Sequence, residues 1–291
     1  MPHIPSFPEA RGIELSDKPL LDRLFRELEP RISEFSFANL FLFRVVHDYR
    51  LTMVGDAVVV LGKGYDGTPY FLPPLSGDIP AALARLWGEG LTLYGADDPF
   101  RERYLREVEA VEDRDNSDYL YLREELATLP GSRFHKKKNR VNYFSLRHSF
   151  TVEPYRDGHL EGALALLEEW RRVRAAQGDQ VGGEVEGAAE ALRLNRELGL
   201  EGVVVLVEGE VRGFALGERL NAETCVCHFE KADLFMDGIY QLVNREFARL
   251  LFTDCTYINR EQDLGDLSLR QAKLSYQPVE MVRKYRVKGE G

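Results

Sequence analysis

The densest group of chemically able side chains follows the short run "CTYIN". There Asn259, Arg260, Glu261, Gln262 and Asp263 come in succession, and Lys273 and Tyr276 stand one helix-length further on. Ligands of α/β sheets gather beyond the carboxyl ends of strands. Asn259, Arg260 and Glu261 are therefore expected to line a ligand pocket, and Lys273 and Tyr276 to face a bound group or a developing oxyanion. Gly265 and Asp266 could equally be a turn and a helix cap. Upstream, His228 and Glu230 are two apart on a strand-like segment and so share a face. A carboxylate beside a histidine can take a proton from an attacking group, although such a pair can also be a hydrogen-bonded strand pair. Glu230, His228 and Asp263 are the catalytic candidates. No Ser-His-Asp order or cysteine nucleophile stands out, which favours chemistry without a covalent enzyme intermediate.

A second concentration of chemistry is "GSRFHKKKNRVNYFSLRHSF", residues 131–150. It holds Arg133, Lys136, Lys137, Lys138, Arg140 and Arg147 and no acid, in a chain of formal net charge -10. If "HKKKNRVNYF" is a helix, Lys136 and Arg140 share a face and Lys137 is offset from them. Such a stripe suits a polyanion, and the interleaved Tyr143 and Phe144 suit stacking against single-stranded RNA ends. Lys136, Lys137 and Arg140 are the expected contacts of such a polyanion. A solvated linker helix, or one facing the acidic run "EVEAVEDRDNSD", is the competing reading.

These residues need a frame to hold them. The 291 residues suit one large domain or two of about 145 residues each. With 44% apolar and 30% charged residues the composition is that of a globular chain. No apolar run reaches the roughly 18 residues of a membrane span, and "MPHIPSFPEARGIEL" lacks a secretory signal's basic start and apolar core. A cytoplasmic location is expected. Three cysteines give no disulfide framework. In "CVCH", strand alternation puts Cys225 and Cys227 on one face and His228 on the other, so no metal site is expected.

Periodicity predicts helices over Lys18–Leu28 and Ile79–Trp87, and from about Pro99 to Glu107. A hairpin meander is expected through "RLTMVGDAVVVLGKGYDGTPYFLPPL", then strands "LTLYG" and "DYLYL". The stretch Phe35–Val46 has no clear period. "GKGYDG" matches a dinucleotide-binding glycine pattern, but the prolines after it cannot open the helix that pattern needs, so a hairpin turn is expected. In the second half, helices are expected over His159–Ala176 and Glu186–Leu198, joined by a Gly-rich loop. Three antiparallel strands follow, turning at 208–210 and 221–223. A helix over Ile239–Phe252, strand "CTYIN", helix "LSLRQAKLSY" and strand "VEMVRKYRV" complete the chain. Both halves thus run hairpin strands, helix, strand, helix, strand. An α/β chain with mixed sheets in two similar domains is expected, 1–130 and 151–291, with 131–150 as a basic junction.

The second-half order resembles the GNAT acyltransferase fold. "HFEKA", "GIYQLVNREFARLL" and above all "YINREQDLGDLSLRQAKLSYQPVEMVRKYRV" resemble bacterial proteins related to the lysylphosphatidylglycerol synthase carboxy-terminal domain. Those proteins, like the Fem-type aminoacyltransferases, are two GNAT-like domains in tandem. The resemblance implies transfer of an acyl or aminoacyl group from an activated carrier to an amine or hydroxyl, with no tightly bound cofactor. "KADLFMDG" replaces the glycine-rich pyrophosphate loop of acetyl-coenzyme A transferases, and its Asp233 and Asp237 would repel pyrophosphate. With the basic junction suited to a polyanion, aminoacyl-tRNA is therefore the expected donor, with tRNA the implied partner and acyl-coenzyme A the alternative. Under this resemblance Lys136, Lys137, Arg140, Lys273 and Tyr276 would bind the donor, Asn259, Arg260 and Glu261 the acceptor, and transfer would be direct. A non-catalytic module binding nucleic acid or another anion is a third possibility. The acceptor, a small molecule or a lipid headgroup, is open.

Overall fold

Short polar caps set the starts of α-helices at Phe37, Ile79 and Asp98. In the computed structural model, which describes residues 3–178 and 182–289, the first elements are β1 (Arg11–Gly12), α1 (Lys18–Leu28), α2 (Phe37–Leu42), β2 (Arg50–Val54), β3 (Ala57–Lys63) and β4 (Pro69–Phe71). They are followed by α3 (Ile79–Trp87), β5 (Thr92–Ala96), α4 (Asp98–Tyr104) and β6 (Val111–Glu112). Ser36, Asp78 and Asp97 each accept a hydrogen bond from the backbone N–H three residues on, which fixes the first turns of α2, α3 and α4. The Ser36 cap explains how the aperiodic Phe35–Val46 stretch becomes helical: every residue of α2 is buried, so no amphipathic period exists to be read.

The chain continues with β7 (Asp118–Leu122), α5 (Arg123–Thr128), α6 (His135–Ser145), β8 (Phe150–Pro154), α7 (Leu160–Ala176), α8 (Gly182–Arg193) and α9 (Asn195–Leu198). Then come β9 (Glu201–Val207), β10 (Glu210–Arg219), β11 (Thr224–Ala232), α10 (Ile239–Leu250), β12 (Tyr257–Asn259), α11 (Leu267–Leu274), β13 (Glu280–Val282) and β14 (Tyr285–Val287). The expected Glu186–Leu198 helix is thus two helices, and the Gly-rich loop before it lies partly outside the described residues. "GKGYDG" connects the antiparallel β3 and β4, with the Gly64 N–H donating to the Thr68 carbonyl. Among the described residues no helix is long and apolar enough to cross a membrane.

The strands form two seven-stranded sheets, ordered β1-β2-β3-β4-β5-β14-β6 and β13-β7-β12-β11-β10-β9-β8. Their cores repeat one plan. Antiparallel β2-β3-β4 is followed by β5 parallel to β4, and antiparallel β9-β10-β11 by β12 parallel to β11. The next strand is taken out of chain order in both: β14 pairs with β5, and β7 pairs with β12. The compact units are accordingly interleaved in sequence, one comprising Met1–Asp118, Glu261–Leu267 and Met281–Gly291, the other Tyr119–Arg260 and Ser268–Glu280. They differ from the linear division at 130 and 151, because strand propensity marks a segment as extended without saying which sheet it joins.

In the first unit, Leu83, Leu86 and Phe71 pack with Tyr285 and Val287 of β14. Beneath them lies a fully buried charge cluster. Lys284 Nζ donates to Glu34 Oε1 and Oε2 at 2.8 and 2.6 Å and to Asp118 Oδ1 at 2.7 Å. The Ser33 N–H donates to Asp118 Oδ2 at 2.7 Å, and Tyr94 OH donates to Glu34 at 3.3 Å. Burial pushes the Glu34 carboxyl up, with Lys284 opposing and Asp118 adding to the rise. Burial works against the Lys284 ammonium, but Asp118 and Glu34 outweigh it and hold its pKa above the ordinary value. In the second unit, Val203, Val204 and Val205 of β9 and Phe214, Ala215 and Leu216 of β10 are all buried, so both faces of these strands are covered, and α10 adds Leu242 and Phe247.

Candidate functional site

Strands β11 and β12 run parallel over three pairs only, from Thr224 opposite Tyr257 to Val226 opposite Asn259. Beyond them β12 ends, whereas β11 continues to Ala232. The pairing of the two strands ends there, and helix α10 packs against β10 and β11. Side chains at such a fork sit at the carboxyl ends of parallel strands, where α/β sheets bind ligands.

Glu230, past the parting point on β11, accepts hydrogen bonds at Oε2 from Asn244 Nδ2 of α10 (3.1 Å) and from Arg260 Nη2 just after β12 (3.2 Å). The Arg260 guanidinium stacks 4.9 Å from the Tyr276 ring and 5.6 Å from that of Tyr121 on β7. Lys137 of α6 rests its ammonium 4.0 Å from the centre of the same Tyr276 ring. Lys273 donates to the Arg260 carbonyl, and Tyr121 OH donates to the Lys273 carbonyl at 2.8 Å, which fixes the backbone of both.

The electrostatics are uneven. Burial opposes the charge of Arg260, but Glu230 and then the rings of Tyr121 and Tyr276 keep it held above its ordinary value. Burial pushes both phenols up. The Lys137 ammonium is pushed down to about 8, first by burial and then by Arg260, against the opposing pull of Glu230. Two buried polar atoms, Arg260 Nη1 and Asn244 Oδ1, have no hydrogen-bond partner among the described residues. Lys137 has neither an ion pair nor a hydrogen bond there. An unsatisfied buried N–H or carbonyl costs free energy in a protein interior and calls for a partner, which water, an ion or a ligand can supply.

Of the residues singled out in the sequence, Glu230, Arg260, Lys137, Tyr276 and Lys273 come together here. The others go elsewhere. His228 Nε2 pairs with Glu218 Oε1 at 3.0 Å, both buried. Regular alternation would set His228 beside Glu230. The β10–β11 register shifts, however, so that Leu216 faces Phe229 and Gly217 faces Cys227, and His228 is the extra residue of a bulge. Asp263 is fully buried in the first unit, where it accepts from the Gly265 N–H at 2.9 Å and pairs with Arg114 at 3.2 Å. Glu261 accepts from Asn39 at 3.2 Å in that unit, and Asn259 is buried on β12. Lys136 and Arg140 lie exposed on the outer face of α6, where Arg140 pairs with Asp237 at 3.1 Å. Asn244 and Tyr121 were not singled out in the sequence. A polar Asn244 beside Leu242, Val243 and Phe247 on the apolar side of α10 was the available signal.

Helix α6 is held against the start of α10 at Gly238, whose φ is +95°. A Cβ there would lie 2.1 Å from the Arg140 carbonyl oxygen. Gly238→Ala is therefore expected to push α6 outward and cost about 1–3 kcal/mol. Faster hydrogen exchange in both α6 and the first turn of α10 checks it.

Residues 25–288 match the family described as "Phosphatidylglycerol lysyltransferase, C-terminal". The structure is similar to a conserved protein of unknown function from Bacteroides thetaiotaomicron, with 32% identity, a TM-score of 0.88, and 97% of this chain and 99% of that one covered. It is also similar to L-PGS from Bacillus licheniformis, with 13% identity, a TM-score of 0.62, and 100% and 95% of the respective chains covered. The likeness to L-PGS is one of fold. In sequence, the uncharacterized protein MYCGA3080 of Mycoplasmoides gallisepticum is 24% identical over 179 residues, 60% of this chain and 56% of that protein. The chain thus spans little more than half the length of that curated relative. The mixed α/β architecture expected from element order is the one observed.

Proposed function

Because the chain belongs to the phosphatidylglycerol lysyltransferase C-terminal family, we propose that it transfers an aminoacyl group from aminoacyl-tRNA to an amine or hydroxyl by direct attack at the β11–β12 fork. The family is one of acyl and aminoacyl transferases. One observation carries the assignment of the site. A carboxylate, Glu230, is bound to a buried guanidinium, Arg260, whose Nη1 N–H has no protein partner. Glu230 takes the proton of the attacking group, and the free N–H of Arg260 receives the oxygen on which negative charge develops. Asn244 fixes the carboxylate by its second hydrogen bond.

The donor follows from charge. Lys136, Arg140, Tyr143 and Arg147 recur at helical spacing along the outer side of α6, all exposed, and Arg147 stacks 3.5 Å from the Tyr143 ring. A basic stripe with a stacking platform suits the single-stranded acceptor end of a tRNA. At the start of α10, where pyrophosphate of coenzyme A would be drawn, stands the Asp237 carboxylate instead.

Titration with fluorescent aminoacyl-tRNA at several salt concentrations tests this reading. Log affinity is expected to fall with log salt by about 0.7–0.9 per phosphate contact, and Lys136→Glu with Lys138→Glu is expected to flatten that slope. No binding at low salt would discard the tRNA donor and leave a panel of acyl-coenzyme A esters as the next trial. Binding without any transfer to amine or hydroxyl acceptors would leave a nucleic-acid-binding module.

A further inference from the structure

Within the basic run, Lys137 differs from its neighbours. It lies on the same side of α6 as Phe134, Val141 and Phe144, all buried, while Lys136, Lys138 and Arg140 are exposed. Its ammonium sits on the Tyr276 ring with its N–H donors unused by any described residue. The nearby carboxylate does not neutralise it: Glu230 is occupied by Asn244 and Arg260 and makes no ion pair with Lys137. The groups that face Lys137 are Arg260 after β12, Glu230 on β11 and Tyr276 after α11. An ammonium placed to hold a phosphate would gain from full charge and exposure, as on the outer stripe. Lys137 instead has a cation crowding it on one aromatic ring.

We propose that Lys137 is the catalytic acid of the transfer, giving its proton to the leaving hydroxyl on the opposite side of the reacting carbonyl from the Glu230 base. This rests on the transfer reading above. The attacking O–H or N–H adds to the ester carbonyl carbon, its proton passes to Glu230, and the carbonyl electron pair moves onto the oxygen facing Arg260 Nη1. On collapse the bond from carbon to ribose oxygen breaks and that oxygen takes a proton from the Lys137 ammonium. Exchange with water then returns Glu230 and Lys137 to their starting charges. An ammonium lowered to about 8 still carries its proton at neutral pH yet releases it more readily than an ordinary lysine.

The need for an acid depends on the leaving group, and the test uses that. Hydroxylamine serves as a common acceptor probe, with enzyme-dependent aminoacyl hydroxamate as the readout. One donor is aminoacyl-tRNA, whose ribose oxygen needs a proton; the other is the aminoacyl nitrophenyl ester, whose leaving group needs none. Lys137→Met is expected to lower kcat with aminoacyl-tRNA by about 10²–10⁴-fold with KM little changed, and to leave the nitrophenyl ester reaction near wild type. Wild-type transfer from tRNA is expected to decline as pH rises through about 8, where Lys137 loses its proton, and the nitrophenyl ester reaction to lack that decline. Glu230→Gln is expected to be slow with both donors. Equal loss with both donors, or with neither, in a folded Lys137→Met variant would overturn the acid role while transfer itself stands. A wild-type protein that turns over neither donor would overturn both.

Discussion

Lys284→Met is expected to destabilise the first unit by about 3–5 kcal/mol, the size of effect seen when one member of a buried charge cluster is removed. The methionine nearly matches the lysine stem in volume, so little of the loss would come from packing. What changes is charge: Glu34 and Asp118 are both buried, and in the wild type Lys284 donates to three of their oxygens. Without it, the two carboxylates lose the cation between them and keep the weaker Ser33 and Tyr94 donors. The pH dependence has a definite sign. The cation opposes the rise of the buried Glu34 carboxyl, so its loss lifts that group further above its unfolded value near 4. The penalty is therefore small at or below that pH and grows as pH rises above it. Urea unfolding at pH 4.5 and 7.5, read by hydrogen exchange in β5 and β14, separates this from a packing defect. A penalty independent of pH would contradict the electrostatic account.

That cluster also shows what the sequence could not disclose. Glu34 and Lys284 are 250 positions apart, and each alone reads as a surface charge. The hairpin meander, the "GKGYDG" turn and helices α1, α3, α7 and α10 were legible because local periodicity and turn chemistry determine them. The exchange of β7 and β14 between sheets was not, because an extended run carries no mark of its partner. The site was legible in part for a similar reason. "NREQD" was rightly seen as a dense polar group after a strand, but the chain turns between Arg260 and Glu261. Arg260 remains in the fork, while Glu261 and Asp263 bind Asn39 and Arg114 in the other unit. The placing of Glu230 and His228 on one face assumed strict alternation, which a single bulge breaks. The offset of Lys137 from Lys136 and Arg140 was read from helical geometry alone, and it is this offset that turns Lys137 inward.

Glu230→Gln is expected to lower transfer by about 10²–10⁴-fold, the range for loss of one general base, while aminoacyl-tRNA affinity stays within about twofold, since the proposed phosphate contacts lie on α6. Glutamine preserves the shape, and its side-chain oxygen can still accept from Asn244 and Arg260, so the fork should hold together. It cannot accept the proton of the attacking group. It also leaves the Arg260 guanidinium, only 14% exposed, without its counter-charge, and a stability loss of about 1–3 kcal/mol is expected from weakening that charged hydrogen bond. A second consequence separates a base from a merely structural carboxylate. Glu230 supports the protonated state of Lys137, whereas burial and Arg260 oppose it. Neutralising Glu230 should therefore move the Lys137 titration below about 8, a shift readable by NMR of its ε-carbon even when turnover is too slow to follow. Glu230→Asp keeps the charge on a shorter arm. It should retain most of the Lys137 titration and lose rate, because distance to the attacking proton matters more to transfer than to a long-range field. A glutamine variant with wild-type turnover would remove Glu230 from the chemistry and leave the carboxylate as the counter-ion that keeps Arg260 in the fork.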